Sequence, residues 1–162
     1  MTSERRLREY HKETGATHFY SSRSVLPILE YIKKTADGSY EVVLSKQHAI
    51  TAYLLVFKEL PEKPPVPSTF VSLGTALPVT IGRAFLNRDT TFHVVMGDGE
   101  WDEGSNWESY LLMKRIGLRN IVIHIDANGM KAMGNTEGPF PDDCQVYSTY
   151  KGADWTCHYR NP

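Results

Sequence analysis

Two short apolar segments separated by one helix-length segment constrain the fold of this chain more than any other feature. Thr91–Met96 (TFHVVM) and Asn120–Asp126 (NIVIHID) each have the length and composition of a buried strand. A helix that connects two strands of one sheet produces a right-handed parallel unit. The sequence therefore predicts an α/β fold, in which a parallel sheet carries helices on both faces.

The intervening helix has sequence signals at both ends. Ser105 and Glu108 fit a capping box, in which Ser105 caps the helix and the Glu108 side chain reaches back. Gly117 directly follows Ile116 and predicts the end of the helix. We therefore predict a helix from the Ser105 cap to about Ile116.

Other elements are predicted from apolar spacing and from turn residues. The other predicted helices are Val25–Lys34, Ala49–Leu60 and Ala76–Leu86. The other predicted strands are Tyr40–Leu44 and Cys144–Tyr150. The proline-rich segment Pro61–Pro67 predicts a stiff, extended connector. The chain has 162 residues, so we expect a single domain that spans residues 1–162.

Charge and composition argue against two classes of partner. The chain has 18 basic and 19 acidic residues, and this balance creates no field that favours nucleic acid or an anionic membrane. No apolar run approaches the length of a membrane span, and the charged N-terminal segment does not resemble a signal peptide. The two cysteines form no CxxC pair and are expected to be reduced. We therefore expect a cytoplasmic protein.

Polar residues and glycines follow both strands of the central unit. Gly97, Asp98 and Gly99 follow the first strand, and Asn128 follows the second. Adjacent parallel strands end side by side, and ligands bind at this edge of α/β sheets. A carboxylate, a side-chain amide and a backbone carbonyl are hard oxygen ligands that suit Mg²⁺ shared with phosphates. The sequence thus predicts one ion between Asp98 and Asn128, and the alternative is a pair of polar loops without a ligand.

The central motif resembles the thiamine diphosphate motif of transketolases. It comprises Gly97–Gly104 (GDGEWDEG), Trp107-Glu108 and Asn120–Asn128 (NIVIHIDAN). The resemblance implies that thiamine diphosphate binds through Mg²⁺, or through Ca²⁺ or Mn²⁺ in its place. The implied metal ligands are Asp98, Asn128 and the main-chain carbonyl of Met130, and the implied diphosphate contacts are Gly97, Gly99 and Glu100.

Other segments match the same family in order along the chain. They are Thr17–Leu29 (THFYSSRSVLPIL), Leu44–Ala49 (LSKQHA), Ser72–Pro78 (SLGTALP) and Thr149–Gly152 (TYKG). The resemblance implies that His18 faces the substrate and that His48 reaches the diphosphate and the substrate. It places Val71, Leu73 and Gly74 against the rings of the cofactor.

The acidic residues Glu103 and Glu108 resemble carboxylates that lie between paired active sites in this family, where they relay protons. Structural interpretations remain open for the outer residues. His18 could be a surface histidine, His48 a capping or packed residue, and Glu108 only the capping-box partner.

The chain also departs from the family pattern. Gln47 replaces a glycine, which is unfavourable if that position needs a positive φ. Val71 replaces another glycine, and Thr75-Ala76 replaces a Gln-Gly pair. The segment after Gly138 is short, so the resemblance is to a shortened version of the domain.

The resemblance implies the N-terminal subunit of a split transketolase. Thiamine diphosphate enzymes need a second, pyrimidine-binding domain, and nothing in these 162 residues resembles one. We expect a separate pyrimidine-domain subunit, an oligomer, and no activity without that partner. The expected reaction transfers a two-carbon ketol unit between sugar phosphates or similar acceptors. The alternatives are an enzyme that uses 2-oxo acids, of the 2-oxo acid dehydrogenase or deoxyxylulose phosphate synthase type, and a non-catalytic binding module.

Overall fold

The computed structural model describes residues 1–63, 73–131, 134–135, 140–148 and 156–158. The chain separates into two compact units. Unit 1 comprises Met1–Ala36 and Lys46–Thr69, and unit 2 comprises Asp37–Ser45 and Phe70–Pro162. Two compact units can belong to one domain, so the expectation of a single domain stays a prediction.

Unit 1 is helical in the residues that the structure describes. It contains α1 (Ser3–Thr14), α2 (Phe19–Thr35), a short 3₁₀ helix (Gln47–Ala49) and α3 (Ile50–Phe57). The buried face of α2 includes Val25, Ile28, Leu29 and Ile32, which recur at helical spacing. These residues pack the three α-helices around one apolar centre.

Unit 2 contains a five-stranded sheet and three helices in its described part. The strands in chain order are β1 (Tyr40–Leu44), β2 (Thr91–Gly97), β3 (Ile121–Ala127), β4 (Met130–Lys131), β5 (Gly134–Asn135), β6 (Gln145–Ser148) and β7 (Thr156–His158). The helices are α4 (Ala76–Leu86), α5 (Asp98–Trp101) and α6 (Gly104–Arg115). The sheet order is β1-β2-β3-β6-β7, and β4 and β5 form a separate antiparallel pair.

The first four strands of the sheet are parallel, and β7 is antiparallel to β6. The predicted α/β class with a parallel sheet is therefore confirmed. One face of the sheet packs against α4 and α6. The presence of helices on the second face stays a prediction.

Side chains alternate along each strand, so the sheet of unit 2 has two distinct faces. The core lies on the first face, where residues of β2 and β3 pack against α4 and α6. Its members include Phe92, Val94, Met96, Ile121, Ile123, Ile125, Leu77, Ile81 and Met113. The second face carries His93, Val95, His124, Asp126 and Tyr147, which are also buried. Burial on both faces explains why β2 and β3 have few polar residues.

Several predicted elements have the observed bounds. β1 and α4 agree residue for residue, and β2 and β3 agree within one residue at each end. α2 is longer than the predicted Val25–Lys34, and α3 ends before the predicted Leu60. β6 begins one residue after the predicted Cys144, and the end of the predicted strand Cys144–Tyr150 lies outside the described residues, as does the end of Pro61–Pro67.

The predicted capping box is wrong. The cap of α6 is Glu103, and its side chain makes no capping hydrogen bond. The Ser105 hydroxyl instead donates to the main-chain oxygen of Gly74 at 2.9 Å. A tertiary hydrogen bond therefore uses the group that the local pattern assigned to the helix end.

No helix in the described part of the chain has both the length and the apolar character that a membrane crossing requires.

Candidate functional site

The loops that follow β2 and β3 meet at the carboxyl edge of the sheet. Asp98 begins α5, and only 3% of it is exposed. Its Oδ1 accepts a hydrogen bond from the Gly99 amide at 2.8 Å, and its Oδ2 accepts one from the Gly129 amide at 2.7 Å. Because Gly129 directly follows Asn128, the second hydrogen bond joins the two loops that the sequence analysis assigned to one site.

The register of the two strands explains this meeting. Gly97 of β2 pairs with Asp126 of β3, so both strands end at the same level. Gly129 has a φ of 73°, which lets the second chain segment turn back towards Asp98. Asn128 is half-buried, and its side-chain amide donates to Asp126 Oδ2 at 3.4 Å.

The groups in this loop pair fit a hard divalent cation. A carboxylate oxygen has two lone pairs, so an oxygen of Asp98 that accepts an amide hydrogen bond can also bind a cation. Among the described residues, no cluster of three or more His, Cys, Asp or Glu side chains could hold a metal ion. The other oxygen groups of this loop pair are the Asn128 side-chain amide and main-chain oxygens, and the backbone of Met130 follows the loop as the start of β4.

Glu100 connects three segments of unit 2. Its carboxylate is buried, and Oε1 accepts hydrogen bonds from the Ser45 hydroxyl and, at 3.0 Å, from the Gly74 amide. The side chain of Asn106 donates to the main-chain oxygen of Glu100 at 2.6 Å. Glu100 therefore holds protein groups in place, and its predicted contact with a diphosphate stays a prediction.

The segment before α4 combines a buried glycine with an exposed leucine. Gly74 has a φ of 76°, and Leu73 is 59% exposed. The predicted contribution of Val71 lies outside the described residues.

Two departures from the family pattern fit the observed backbone. Gln47 lies in the 3₁₀ helix, and Ala76, which takes the glycine position of the Gln-Gly pair, is the first residue of α4. Among the described residues other than glycine, His18 is the only one with a positive φ. The replacements at Gln47 and Ala76 therefore impose no strain of the kind that a positive φ would cause.

The structure brings His18 and His48 together in unit 1. Their rings stack with centroids 4.1 Å apart and planes at 18°, although both residues are exposed. His18 has a φ of 61° immediately before α2, which is a costly conformation for a residue with a side chain. Partial desolvation of the His48 ring lowers its pKa, although the residue as a whole is exposed, and the charges of His18 and Lys46 lower this pKa further.

Glu103 and Glu108 lie at the start of α6 and are both exposed. Neither carboxylate caps the helix as the sequence predicted for Glu108. Their positions leave them accessible on unit 2, and their role between paired active sites stays a prediction.

Sequence reasoning missed a buried chain of polar groups on the second face of the sheet. His93 Nδ1 lies 2.9 Å from His124 Nε2, and His124 Nδ1 lies 2.9 Å from the Tyr147 hydroxyl. Burial lowers the pKa of His124 to about 3, and it also lowers the pKa of His93. The available signal was the placement of both histidines on the same alternating face of two apolar strands.

The fold and the joined loops define a class: an α/β protein with a carboxylate and a side-chain amide at the carboxyl edge of a parallel sheet. No protein-family model matches the chain. The chain is 35% identical over 130 residues to a protein from Phocaeicola vulgatus that is named as a subunit of apulose-4-phosphate transketolase. This match covers 78% of the present chain and 46% of that protein. A protein of the same name from Actinobacillus succinogenes is 37% identical over 70 residues, which are 41% of this chain and 25% of that protein.

A third relative, from Rhodococcoides fascians, is named ferredoxin fas2. It is 38% identical over 72 residues, which are 41% of this chain and 24% of that protein. The matched segments thus span less than half the length of these relatives. The chain is similar to the N-terminal subunit of a split transketolase, and the resemblance that its motifs predicted is confirmed.

Proposed function

We propose that this chain binds thiamine diphosphate and a divalent metal as one subunit of a transketolase-like enzyme. The enzyme transfers a two-carbon ketol unit from a ketose phosphate to a sugar phosphate or similar acceptor. Bound thiamine diphosphate supplies the carbanion chemistry, and the protein positions it. A separate pyrimidine-domain subunit completes the site.

The hydrogen bond from the Gly129 amide to Asp98 Oδ2 is the observation that carries this proposal. It joins the loops after β2 and β3 at 2.7 Å, so Asp98 and Asn128 belong to one local structure. A carboxylate and an amide that are held in this way suit Mg²⁺ with shared phosphate oxygens. Asp98, Asn128 and the carbonyl of Met130 hold the metal, and the backbone at Gly97 and Gly99 lies along the diphosphate.

The histidines of unit 1 serve the substrate in this proposal. His18 and His48 orient substrate oxygens, and their rings are already paired and exposed. The lowered pKa of His48 favours the neutral ring near neutral pH, which can both donate and accept a hydrogen bond. Glu103 and Glu108 relay protons between paired sites in the assembled enzyme.

Metal-dependent cofactor binding tests the proposal directly. Calorimetric titration should show that thiamine diphosphate binds the wild-type chain with its partner only when Mg²⁺ is present. Asp98→Ala should weaken this binding by roughly 100-fold or more, since the loss of a group that only supports a metal ligand already costs roughly 10–100-fold.

Asp89→Ala is the matched control, because Asp89 is an exposed aspartate in the turn before β2. It should bind the cofactor as the wild type does. Equal affinity of the wild type and Asp98→Ala would refute the metal assignment.

The split-enzyme part has its own test. The purified chain should give no ketol transfer alone, and a pyrimidine-domain subunit should restore the transfer. Assays with ketose phosphates and with pyruvate as donors separate this proposal from an enzyme that uses 2-oxo acids. The names of two relatives as transketolase subunits favour ketose phosphates. Turnover by the isolated chain, or use of pyruvate alone, would contradict the proposal.

A further inference from the structure

We infer that Glu100 is a positioning residue that fixes the backbone at Gly74, and that it acts on the cofactor through this segment. The inference rests on the proposed function, together with the implication of the motif resemblance that Leu73 and Gly74 lie against the rings of thiamine diphosphate. It concerns a role for Glu100 that differs from direct contact with the diphosphate.

Gly74 is held on both sides of its peptide backbone. Its amide donates to Glu100 Oε1 at 3.0 Å, and its carbonyl accepts from the Ser105 hydroxyl at 2.9 Å. Its φ is 76°. A Cβ atom at this position would collide with Ser105 Oγ and would lie 2.9 Å from Glu103 Cβ. The two hydrogen bonds fix the backbone conformation of this residue, and only glycine adopts that conformation without a collision.

Glu100 is itself held from several directions. The Ser45 hydroxyl, just after β1, donates to the same carboxylate oxygen that accepts from Gly74. The Asn106 side chain, which is fully buried, donates to the main-chain oxygen of Glu100. One carboxyl oxygen can accept both hydrogen bonds, and each is costly to lose because a buried donor would be left without its partner. Glu100 therefore holds the Gly74 segment at a fixed position relative to the end of β1.

The location of Glu100 links this role to the metal site. Asp98 and Glu100 both belong to α5, a single turn of helix. One carboxylate of this turn accepts the amide of Gly129, and the other accepts the amide of Gly74. The turn thus fixes the positions of two segments: the loop that carries Asn128, a proposed metal ligand, and the segment at Gly74 that is proposed to face the rings.

The test compares two ligands on variants of Glu100. Magnesium pyrophosphate has no rings, whereas thiamine diphosphate has both the diphosphate and the rings. Glu100→Ala should weaken the binding of thiamine diphosphate roughly tenfold, which is in the range for residues that support a ligand-binding group. It should change pyrophosphate affinity less than about threefold. Glu100→Gln retains an acceptor oxygen for Ser45 and Gly74 and should recover most of the affinity for thiamine diphosphate.

Glu59→Ala is the control for loss of a carboxylate, because Glu59 is exposed and lies in unit 1. If Glu100→Ala does not fold, Ser105→Ala tests the same segment, because the Ser105 hydroxyl donates to the Gly74 carbonyl. This variant should fold, because Ser105 is exposed. Amide hydrogen exchange of residues 73–75, measured without cofactor, gives a second readout. Exchange should accelerate in Glu100→Ala and stay near the wild-type rate in Glu100→Gln.

The outcomes separate the two proposals. If Asp98→Ala binds thiamine diphosphate normally, the proposed function fails. If Asp98→Ala weakens the binding of thiamine diphosphate, but Glu100→Ala weakens the binding of pyrophosphate and of thiamine diphosphate equally, Glu100 acts on the diphosphate. The present inference is then overturned. Unchanged affinity for both ligands would overturn it as well. A tenfold loss confined to thiamine diphosphate, with faster exchange at Gly74, would support it.

Discussion

The two histidine pairs of this protein have opposite environments. His93 and His124 lie in the sheet of unit 2, where their rings are hydrogen-bonded and buried. His18 and His48 lie in unit 1, where their rings stack and remain exposed. The buried pair has its hydrogen bonds within the protein, whereas the exposed pair can offer ring nitrogens to a ligand. Burial and hydrogen bonding thus distinguish a structural pair from a candidate substrate-binding pair.

The largest expected effect concerns the buried pair. His124→Ala removes a ring between His93 and Tyr147, leaving both partners without this contact and opening a cavity in the sheet face. We expect a loss of roughly 2–4 kcal/mol in the free energy of unfolding. Urea denaturation measures this loss, and His48→Ala should change the same quantity by less than about 0.5 kcal/mol. Equal losses in the two variants would remove the distinction between the pairs.

Acid stability should depend on the buried pair. The pKa of His124 is about 3 in the folded chain, and that of an unfolded histidine is about 6.5. Above about pH 6.5 the ring is neutral in both states and imposes no penalty. As the pH falls below this value, only the unfolded state takes up the proton, so His124 favours unfolding by roughly 1 kcal/mol per pH unit until the pH approaches 3.

Unfolding measured between pH 7 and pH 4 should therefore show a steeper loss of stability in the wild type than in His124→Gln. An NMR titration of His124 provides an independent measurement, because its ring signals should not shift between pH 7 and about pH 4. A midpoint near pH 6.5 would contradict the burial that the structure shows.

The exposed pair should reveal a backbone effect of smaller size. His18 has a φ of 61°, and this conformation costs a residue with a Cβ atom roughly 1–2 kcal/mol. His18→Gly and His18→Ala both remove the stacked ring, but only glycine removes the steric cost. We expect His18→Gly to be more stable than His18→Ala by about 1 kcal/mol in urea denaturation. Equal stabilities would indicate that the backbone at this position is relaxed.

The smallest expected effect is electrostatic. The charge of His18 is a secondary cause of the lowered pKa of His48, after desolvation. His18→Asn should therefore raise the pKa of His48 without restoring its ordinary value. NMR titration of the His48 ring measures this change, and a further decrease of the pKa would show that His18 stabilises the charged form of His48.

Local patterns predicted much of unit 2. The bounds of α4 and β1 followed from apolar spacing and turn residues, and they agree with the structure. The predicted strand ends at Met96 and Asp126 lie within one residue of the observed ends, so the meeting of the two loops could be expected from a parallel register. These features depend on neighbours in the sequence and on one rule of sheet geometry.

Features that depend on distant contacts were less visible. Ser105 has the local pattern of a helix cap, yet its hydroxyl binds Gly74, which lies 31 residues away. The motif resemblance implies that Glu100 contacts a diphosphate, yet its carboxylate accepts a hydrogen bond from the Ser45 hydroxyl. The helix α1 was missed because it is largely polar, although Thr2 and Gly15 provide caps at its two ends. Sequence spacing alone does not decide such competitions between local and tertiary partners.

The pairing of β3 with β2 has a consequence for how this chain can tolerate insertions and deletions. Adding one residue within β3 would exchange the sides occupied by Ile123 and His124 and would shift Gly129 away from Asp98. A single change of length would thus damage the core, the buried histidine pair and the joined loops together. Natural relatives should therefore differ in length outside the strands β2 and β3 and the turns that directly follow them.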